Sequence, residues 1–387
     1  VDGEGGSAPG IWTLEQASYY EGIGEWPKPV LSRELYTWGQ NNVGQIGDDT
    51  AIYRSSPVQI GSITTWDTVS AGLQHSFAIK QDNTLWAWGR GNQGQTGVNN
   101  TATLSSPVQI GALSDWAQAS AGRYISAAIR SNGTLWTFGY GPDFGSLGQN
   151  NTISYSSPTQ VGSLTTWLQV NAGRYSMGAI KTDGTLWTWG QNQDGKLGLG
   201  TTGINTSSPI QVGSLTNWKQ INFSNSFDFT AAVKIDGTLW VWGGNIYGNL
   251  GQSNLTDYSS PVQVGALTNW AQVAVGRYGI RAIKTDGTLW AWGGNGYGQL
   301  GQNNTISYSS PVQVGADTNW EKVATADDEI VGAIKTNGTL WTWGNNSYGS
   351  LGDGLVVRTS SPTQVGVQTY WENISAGSDF MVATTKG

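Results

Sequence analysis

Residues 172–198 have the sequence AGRYSMGAIKTDGTLWTWGQNQDGKLG. Near its centre, the segments Ala179–Lys181 and Leu186–Trp189 flank the pair Asp183-Gly184. Asp-Gly between apolar runs is a strong hairpin signal, because a type I′ turn needs positive φ at both central residues. This stretch therefore predicts an antiparallel β-hairpin with a type I′ turn.

The same unit recurs along the chain, and three separate markers each count to seven. They are the glycine that ends an aromatic-x-aromatic-Gly segment, the proline of a Ser-Ser-Pro, and a tryptophan after that proline. The glycines are Gly39, Gly89, Gly139, Gly190, Gly243, Gly293 and Gly344. The prolines are Pro57, Pro107, Pro158, Pro209, Pro261, Pro311 and Pro362. The tryptophans are Trp66, Trp116, Trp167, Trp218, Trp270, Trp320 and Trp371. A fixed period of about 51 residues is typical of repeat architectures.

Each repeat contains signals for four short strands and no helical periodicity. Besides the hairpin, strands are predicted around Pro-Val-Gln-Val-Gly and Trp-x-x-Val-x-Ala-Gly segments. The sequence thus predicts an all-β fold, a seven-bladed β-propeller of four-stranded antiparallel blades.

The two ends of the chain supply complementary parts of one repeat. The first repeat begins at its Leu35–Gly39 strand, and the last stops after Phe380–Thr385, where the hairpin turn would come next. We therefore expect these two segments to pair, so that N- and C-terminal strands share one blade and close the ring without an open edge. The predicted domains are a propeller over 35–387 and a linker with a short helical tail over 1–34.

Tryptophan is used almost entirely at repeated positions. Twelve of the 21 tryptophans lie in the aromatic-x-aromatic-Gly segments and seven follow Ser-Ser-Pro, which leaves Trp12 and Trp26. Burial of one such ring removes ~200 Å² from water and stabilises by up to ~5 kcal/mol. Repetition in every blade favours a role between neighbouring blades over the alternative, a sugar-stacking surface.

Composition excludes several classes of function. Charged residues make up 12%, the net charge is −7 and the pI is near 4.7. This argues against nucleic acid as a partner and against a basic membrane-binding face. No apolar run approaches the ~20 residues needed to span a bilayer, so membrane insertion is not expected. The chain has no Cys and one His, which removes thiolate chemistry, most nucleophile–base pairs and His-rich zinc sites. No cofactor, metal site or catalytic residue is predicted.

The full unit, with its Ala-Gly, Asp-Gly-Thr-Leu-Trp-x-Trp-Gly and Gly-x-Leu-Gly elements, resembles the regulator of chromosome condensation repeat, and the resemblance covers residues 35–387. It implies a seven-bladed propeller whose two ends share a blade. The family's namesake is a nuclear exchange factor that binds a small GTPase and chromatin, and its repeat often carries a His after the Ala-Gly. Here only His75 stands at that place, so the exchange-factor function is not expected. Other bacterial members, such as a secreted β-lactamase inhibitor protein, bind proteins, and a ring-face binding platform is what the resemblance implies.

The seven copies also provide an internal comparison, since positions that vary between blades are free to serve a partner. The loop after Ala-Gly varies strongly, and equivalent loops of a propeller lie on one face. Three Arg-Tyr pairs and an acidic cluster are predicted there, and Arg and Tyr are favoured in binding hot spots. The alternative is that the pairs only hydrogen-bond to neighbouring blades. The candidate residues are His75, Arg123, Tyr124, Arg174, Tyr175, Asp228, Arg277, Tyr278, Asp327, Asp328 and Glu329.

The first 34 residues differ from the repeats. Residues 1–10 are Gly-rich and are predicted to be a linker, and Thr13 with Gln16 fits a capping box that opens a helix to about Tyr20. Because the chain starts at Val1 without a signal peptide, we expect it to be trimmed, processed or joined to something upstream. The string GIWTLEQASYYEGIGEWP resembles a segment of marine tailed-phage structural proteins; an ordinary tail docked on the ring is the alternative.

These observations predict a non-enzymatic binding or structural propeller. The favoured hypothesis is a phage virion component, such as a tail fibre, spike or capsid decoration, whose partners are other virion proteins or a host surface receptor, protein or glycan. A secreted bacterial inhibitor or adhesin is the second hypothesis. A glycan-active propeller enzyme stays open because a carboxylate pair for glycoside hydrolysis leaves no recognisable spacing in the sequence.

Overall fold

Twenty-eight short β-strands account for nearly all the regular structure of the described residues. The computed structural model describes residues 31–325, 327 and 329–387. Within them, the strands form seven four-stranded sheets, and every pairing within a sheet is antiparallel. Ser32–Gly387 form one compact unit. Within the described part of the chain, no helix has both the length and the apolar character needed to cross a bilayer.

Each sheet is one blade, and we number the blades along the chain from the shared one. Blade 1 contains β1 (Leu35–Gly39), β2 (Arg54–Gln59), β27 (Trp371–Ala376) and β28 (Phe380–Thr385). Blade 2 contains β3 (Trp66–Ala71), β4 (His75–Lys80), β5 (Leu85–Gly89) and β6 (Leu104–Gln109). Blade 3 contains β7 (Trp116–Ala121), β8 (Ile125–Arg130), β9 (Leu135–Gly139) and β10 (Tyr155–Gln160).

The other four blades follow the same plan. Blade 4 contains β11 (Trp167–Ala172), β12 (Ser176–Lys181), β13 (Leu186–Gly190) and β14 (Thr206–Gln211), with a 3₁₀ turn at Gln193–Gly195. Blade 5 contains β15 (Trp218–Phe223), β16 (Phe229–Lys234), β17 (Leu239–Gly243) and β18 (Tyr258–Gln263). Blade 6 contains β19 (Trp270–Val275), β20 (Gly279–Lys284), β21 (Leu289–Gly293) and β22 (Tyr308–Gln313). Blade 7 contains β23 (Trp320–Thr325), β24 (Ile330–Lys335), β25 (Leu340–Gly344) and β26 (Thr359–Gln364).

The predicted seven-bladed propeller and its closure are confirmed. In blade 1 the strand order is β2-β1-β28-β27, so the sheet combines two strands from each end of the chain. Leu35 pairs with Thr384 and Gly39 with Phe380, in continuous register. The backbone N–H of Glu34 also donates to Thr385 Oγ1 at 2.9 Å. The ring is therefore closed by backbone pairing between residues 341 or more positions apart in sequence.

One strand from each blade lines the central channel. A cavity of about 150 Å³ is bordered by β3, β7, β11, β15, β19, β23 and β27, which are therefore the inner strands. Polar side chains of these strands bond the backbone of a neighbouring inner strand. Ser120 Oγ accepts from the Ala172 N–H at 2.9 Å, and the Gln118 amide both donates to the Val170 carbonyl and accepts from the Val170 N–H. Neighbouring blades are thus joined at the channel by hydrogen bonds as well as by packing.

The Asp-Gly-Thr-Leu-Trp motif forms the tip of each hairpin, but the predicted type I′ turn is wrong. Gly184 has φ of +76°, while Asp183 is not among the residues with positive φ. The Gly184 N–H donates to the Lys181 carbonyl, which gives a turn followed by one left-handed glycine. The Asp183 side chain explains the difference: its carboxylate accepts from both the N–H and the hydroxyl of Thr185. Thr185 Oγ1 in turn accepts from Trp187 Nε1 at 2.9 Å.

The second tryptophan of each Trp-x-Trp-Gly segment packs on the preceding blade. Trp242 of blade 5 donates its indole N–H to the Lys196 carbonyl of blade 4 at 2.8 Å. Its ring lies against Gly198, where φ is +72° and a Cβ would come within 2.8 Å of Nε1. The last position of each Gly-x-Leu-Gly therefore requires glycine for two reasons. Its backbone is left-handed, and the aromatic ring beside it leaves no room for a Cβ. The equivalent pairs are Gly47 with Trp88, Gly97 with Phe138, Gly148 with Trp189, Gly251 with Trp292, Gly301 with Trp343 and Gly352 with Trp38.

The tryptophan after Ser-Ser-Pro begins the inner strand and completes a cluster within its own blade. Trp167 meets Trp187 edge to face, with ring centroids 6.2 Å apart. The Lys181 ammonium lies 3.6 Å from the Trp187 ring centroid and 5.0 Å from that of Trp167. Burial lowers the pKa of this lysine, while the neighbouring rings stabilise its charge. Apolar clusters also continue between blades, since Trp167 and Trp189 of blade 4 pack with Ile129 and Leu135 of blade 3.

A buried asparagine organises the long loop between the third and fourth strands. Asn192 Oδ1 accepts from the Leu197 N–H, and its amide donates to the Thr201 carbonyl. Asn41, Asn245, Asn295 and Asn346 make equivalent bonds in blades 1, 5, 6 and 7. The predicted linker over 1–10 and the predicted helix from Thr13 to Tyr20 lie outside the described residues.

The contact between glycine and tryptophan predicts a difference between two alanine substitutions. Gly198→Ala should lower the free energy of unfolding by about 3 kcal/mol, because a left-handed alanine costs ~1–2 kcal/mol and the clash with Trp242 adds a similar amount. The matched control is Gly213→Ala, where φ is +58° and no atom lies within 4 Å of the added Cβ. That variant should lose only about 1 kcal/mol of unfolding free energy, which is the cost of a left-handed backbone at alanine. Denaturant-induced unfolding measures the stability of both variants. Equal losses of unfolding free energy would contradict the contact between Gly198 and Trp242.

Candidate functional site

The loops after Ala-Gly lie on one face of the ring, which we call the loop face. They connect each inner strand to the second strand of its blade. The last loop residue in every blade accepts a backbone hydrogen bond from the residue that follows the Trp-x-Trp-Gly glycine, as Tyr175 does from Gln191 at 2.9 Å. This shared bond shows that the seven positions are equivalent. They are Gln74, Tyr124, Tyr175, Asp228, Tyr278, Glu329 and Asp379.

A cavity of about 330 Å³ opens at the centre of the loop face, and we call it the mouth. Of the predicted residues, the structure brings Arg123, Tyr124, Arg277 and Asp327 to its wall. Adjacent loops are joined around it by backbone bonds, since the Arg123 N–H donates to the Gly173 carbonyl at 3.0 Å. The wall also contains residues that the sequence analysis did not select, namely Gln40, Leu73, Gln74, Arg90, Ser226, Ser378 and Asp379.

Each predicted Arg-Tyr pair is a stacked pair in the structure. The Arg123 and Arg174 guanidinium carbons each lie 5.2 Å from the ring centroid of the tyrosine that follows. Arg277 lies 4.8 Å from the Tyr278 ring. Stacking on an aromatic face favours a guanidinium and leaves its N–H groups in the plane available for hydrogen bonds.

The tyrosines belong to two aromatic clusters on this face. In blades 3 and 4, Tyr124 stacks on Tyr175 with centroids 5.5 Å apart and an angle of 25° between the rings, and Tyr140 and Phe144 contact Tyr175. In blades 5 and 6, the rings in contact are those of Phe227, Tyr247 and Tyr278, with 4.6 Å between the two tyrosines.

Two of the arginines converge on the loop of blade 5. Arg123 Nη1 donates to Ser226 Oγ at 3.2 Å, and Arg174 Nη1 donates to the Ser226 carbonyl at 3.4 Å. This loop, between Phe223 and Phe229, is two residues longer than the equivalent loops of blades 2, 3, 4 and 6, and the extra length brings Ser226 to the mouth. The greater length of this loop is apparent from the sequence, but the position of its extra residues at the mouth is seen only in the structure.

The acidic candidates lie below the surface rather than on an exposed rim. Asp327 is 3% exposed and Glu329 is 4% exposed. Asp228 forms an ion pair with the buried Lys196, with 2.6 Å between Nζ and Oδ1. Burial lowers the pKa of that lysine, and the Asp228 carboxylate opposes the shift. Asp328 lies outside the described residues. Comparison of the seven repeats shows that these positions differ between blades, but it does not indicate how deeply their side chains are buried.

Glu329 lies close to a second buried cation. Arg281 is 1% exposed and donates from Nε and Nη2 to the Gln299 carbonyl. Burial lowers the pKa of this guanidinium to about 10, and the charge of Glu329 opposes the shift. Arg281 thus provides a positive charge beneath the loop face that the sequence analysis missed, because it occupies a strand position held by small or apolar residues in the other blades.

His75 has no exposed surface and lies beneath the loop face at the start of β4. Its Nε2 is 2.9 Å from Ser126 Oγ, and Ser126 donates to the Gln95 carbonyl at 2.8 Å. Because the serine hydrogen is used in that bond, the proton between the two side chains comes from His75 Nε2. Burial lowers the pKa of His75 to about 3, so the imidazole is neutral near pH 7. The side chain joins blade 2 to blade 3.

Accessible guanidinium groups and aromatic rings suit this face to binding through hydrogen bonds and stacking. Among the residues that the structure describes, no three His, Asp or Glu side chains are grouped so that they could hold a metal ion.

The family model for the "Regulator of chromosome condensation (RCC1) repeat" matches the chain seven times. The matched residues are 34–79, 82–129, 132–180, 183–232, 236–283, 286–329 and 337–384. A second model of the same repeat matches 66–95 and 270–299.

Two curated relatives share 29% identity with the chain. The Ultraviolet-B receptor UVR8 of Arabidopsis thaliana aligns over 228 residues, which is 58% of this chain and 52% of the receptor. The E3 ubiquitin-protein ligase HERC2 of Homo sapiens aligns over 252 residues, which is 62% of this chain and 4% of the ligase. The chain thus covers about half of one relative and a small part of the other.

Solved structures of the same fold are more distant in sequence. Prp20p from Saccharomyces cerevisiae, described together with its binding properties to Gsp1p and histones, has a TM-score of 0.81 at 18% identity, with 92% of each chain covered. Human WBSCR16 has a TM-score of 0.79 at 20% identity, covering 92% of this chain and 99% of that one. At these identities the likeness concerns the fold alone.

The buried imidazole predicts a pH dependence of stability. The folded pKa of His75 is about 3, against an ordinary value of 6.5, so between these values the unfolded chain binds a proton that the folded chain does not. Stability from this residue is complete above about pH 6.5 and falls with decreasing pH by about 1.4 kcal/mol per pH unit. His75→Phe, which introduces the residue that stands at this place in β16 and β28, should remove that slope.

Denaturant unfolding of the wild type and the His75→Phe variant between pH 6.5 and about pH 4.5 isolates this residue, because other groups that titrate there, such as Asp194 with its raised pKa, contribute equally to both proteins. Equal slopes for the wild type and the His75→Phe variant would contradict the assignment of a neutral, buried histidine.

Proposed function

The chain belongs to the regulator of chromosome condensation repeat family, and from that premise we propose that it is a non-enzymatic binding propeller that engages a partner protein through its loop face. The observation that carries this proposal is the mouth, where Arg90, Arg123 and Arg277 border one cavity beside two aromatic clusters. Arg and Tyr are enriched among the residues that dominate protein–protein affinity.

The contrast between framework and loop face supports this proposal. The glycine–aromatic contact recurs in all seven blades, the bonded hairpin tip in six and the loop asparagine in five. The loop-face positions share a backbone bond but carry different side chains in successive blades. A partner that recognises one orientation of a ring needs such asymmetry, because seven identical loops would offer seven equivalent ways to bind.

The chemistry of the described residues favours binding over catalysis. The one histidine is buried and neutral, so it is not accessible as a general base at neutral pH. Asp228 is held in an ion pair with Lys196, and Asp327 and Glu329 are buried. Among the relatives, ubiquitin ligation belongs to a protein of which this chain covers 4%.

We propose further that the propeller is a phage virion component, such as a tail fibre, spike or capsid decoration. Residues 1–34 would attach it, and the loop face would contact another virion protein or a host surface receptor. The support is the resemblance of the string GIWTLEQASYYEGIGEWP to marine tailed-phage structural proteins, together with the low charge and the absence of Cys. A secreted inhibitor or adhesin is the second candidate and uses the same face.

A site-specific photo-crosslinker tests which face binds. Benzoylphenylalanine in place of Tyr247, which is 40% exposed and contacts Tyr278 on the loop face, should form an adduct with the partner in an extract of the source. The matched control replaces Ile235, which is 69% exposed at the hairpin tip of the same blade, on the opposite face. Adducts from position 235 in place of position 247 would refute the proposed face.

Mass spectrometry of purified particles tests the virion proposal. We expect the protein in particles that survive density-gradient purification, at a fixed ratio to the major capsid protein. Its recovery only from the soluble fraction of infected cells, or from culture medium without particles, would contradict a virion role and favour the secreted candidate. Neither result depends on which face of the propeller binds.

A further inference from the structure

Three arginines of the loop face have no acidic partner. Arg90, Arg123 and Arg174 lie on blades 2, 3 and 4, and no described residue supplies a carboxylate within ion-pair distance of any of them. We call these three residues the arginine arc. Three other arginines do form ion pairs: Arg33 with Asp67, Arg54 with Asp48 and Arg130 with Asp115. Unpaired cations on one face are unexpected in a chain with 26 Asp and Glu and only 19 Lys and Arg.

The present partners of the arc are neutral and leave hydrogen-bonding capacity unused. Arg90 donates to Asn92 and to Gln74, at 3.0 and 2.8 Å. Arg123 and Arg174 each donate one bond to Ser226, at 3.2 and 3.4 Å, and the buried Nε of each has no hydrogen-bond partner. A guanidinium has five N–H donors and binds a carboxylate through two of them at once.

The acidic groups of the same face do not neutralise the arc. On the loops after Ala-Gly they come from blades 5, 7 and 1, as Asp228, Asp327, Glu329 and Asp379, and each is at most 9% exposed. The long loops of blades 3 and 4 carry the exposed Asp143 and Asp194, and neither forms an ion pair with the arc. Asp228 is satisfied by Lys196, and the charge of Glu329 acts on Arg281. At the mouth itself a ligand therefore meets half-buried guanidinium groups first, with the carboxylates of Asp327 and Asp379 beneath them.

We propose that the mouth, together with Arg174 in the adjoining loop of blade 4, binds an acidic peptide segment whose carboxylates pair with Arg90, Arg123 and Arg174. This rests on the proposed function and names the chemistry of the partner. Three cations on three consecutive blades, two of them converging on Ser226, match a run of neighbouring Asp or Glu side chains on a flexible backbone. A sugar with a single carboxylate would satisfy one arginine of the arc. The Tyr124–Tyr175 stack lies beside the arc and offers apolar contact to the stems of the acidic side chains.

The test uses a fluorescein-labelled hexaglutamate peptide, with hexaglutamine as the neutral probe, and measures fluorescence anisotropy with the full chain. We expect saturable binding of hexaglutamate that weakens as salt is raised, and no binding of hexaglutamine. The double variant Arg123→Gln/Arg174→Gln should weaken binding by about tenfold or more, because each charge-assisted bond is stronger than the neutral bond that replaces it. The exposed Arg358, which does not line the mouth, provides the control; Arg358→Gln removes a charge and should change affinity less than about twofold.

Three results would overturn the proposal. The first is no saturable binding of hexaglutamate to the wild type up to about 1 mM. The second is equal weakening by the arc variants and by Arg358→Gln, which would indicate a general effect of net charge. The third is tighter binding of sialyllactose than of hexaglutamate, which would identify a glycan carboxylate as the ligand. If hexaglutamate fails while position 247 still cross-links a protein, the loop face remains the binding surface and only the acidic chemistry is refuted.

Discussion

The fold depends on one contact repeated around the ring, in which an aromatic ring of one blade packs on a left-handed glycine of the blade before it. In most blades the indole N–H also donates to a backbone carbonyl beside that glycine, as Trp242 does to Lys196. The ring buries apolar area, and the bond satisfies a polar atom that would otherwise be costly to bury. Because a side chain on the glycine would occupy the place of the ring, the Gly-x-Leu-Gly and the Trp-x-Trp-Gly of successive repeats form a single structural unit.

Blade 1, which combines strands of the first and last repeats, differs from the other blades in its aromatic cluster. Tyr36 stands where most blades have the first tryptophan, and Thr385 stands where they have a lysine or arginine above it. The cation–aromatic cluster is therefore absent from this blade, and other contacts take its place. Tyr36 donates to Glu34, and its ring meets Trp371 edge to face at 5.3 Å. Continuous pairing of β1 with β28 supplies the closure that covalent continuity supplies in the other blades.

The loop face is the part of the molecule that the framework leaves free. Each of its loops is held by a backbone bond from the residue after the Trp-x-Trp-Gly glycine, so the side chain at that place varies without loss of the blade. Blades 2, 3, 4 and 6 place arginines there or beside it, and blades 5, 7 and 1 place carboxylates. The electrostatic asymmetry of the face thus arises from side-chain choice on a nearly symmetric backbone.

The sequence by itself determined the number of blades, the strand content, the closure and the face that differs between blades. These properties follow from local patterns repeated seven times, and repetition averages out the uncertainty of any one pattern. The turn type was wrong because the Asp183 carboxylate bonds Thr185, a side-chain contact that the Asp-Gly pair alone does not reveal.

Only the tertiary structure decided how deeply each side chain is buried and which residues it contacts. Asp228, Glu329 and His75 are buried, Ser226 reaches the mouth and Arg90 borders it, although the sequence treats all five positions as loops or loop neighbours. Burial and pairing depend on residues brought together from different blades, such as Lys196 with Asp228. Such contacts form when the blades pack together in the ring, so they cannot be predicted from the spacing of residues within one repeat.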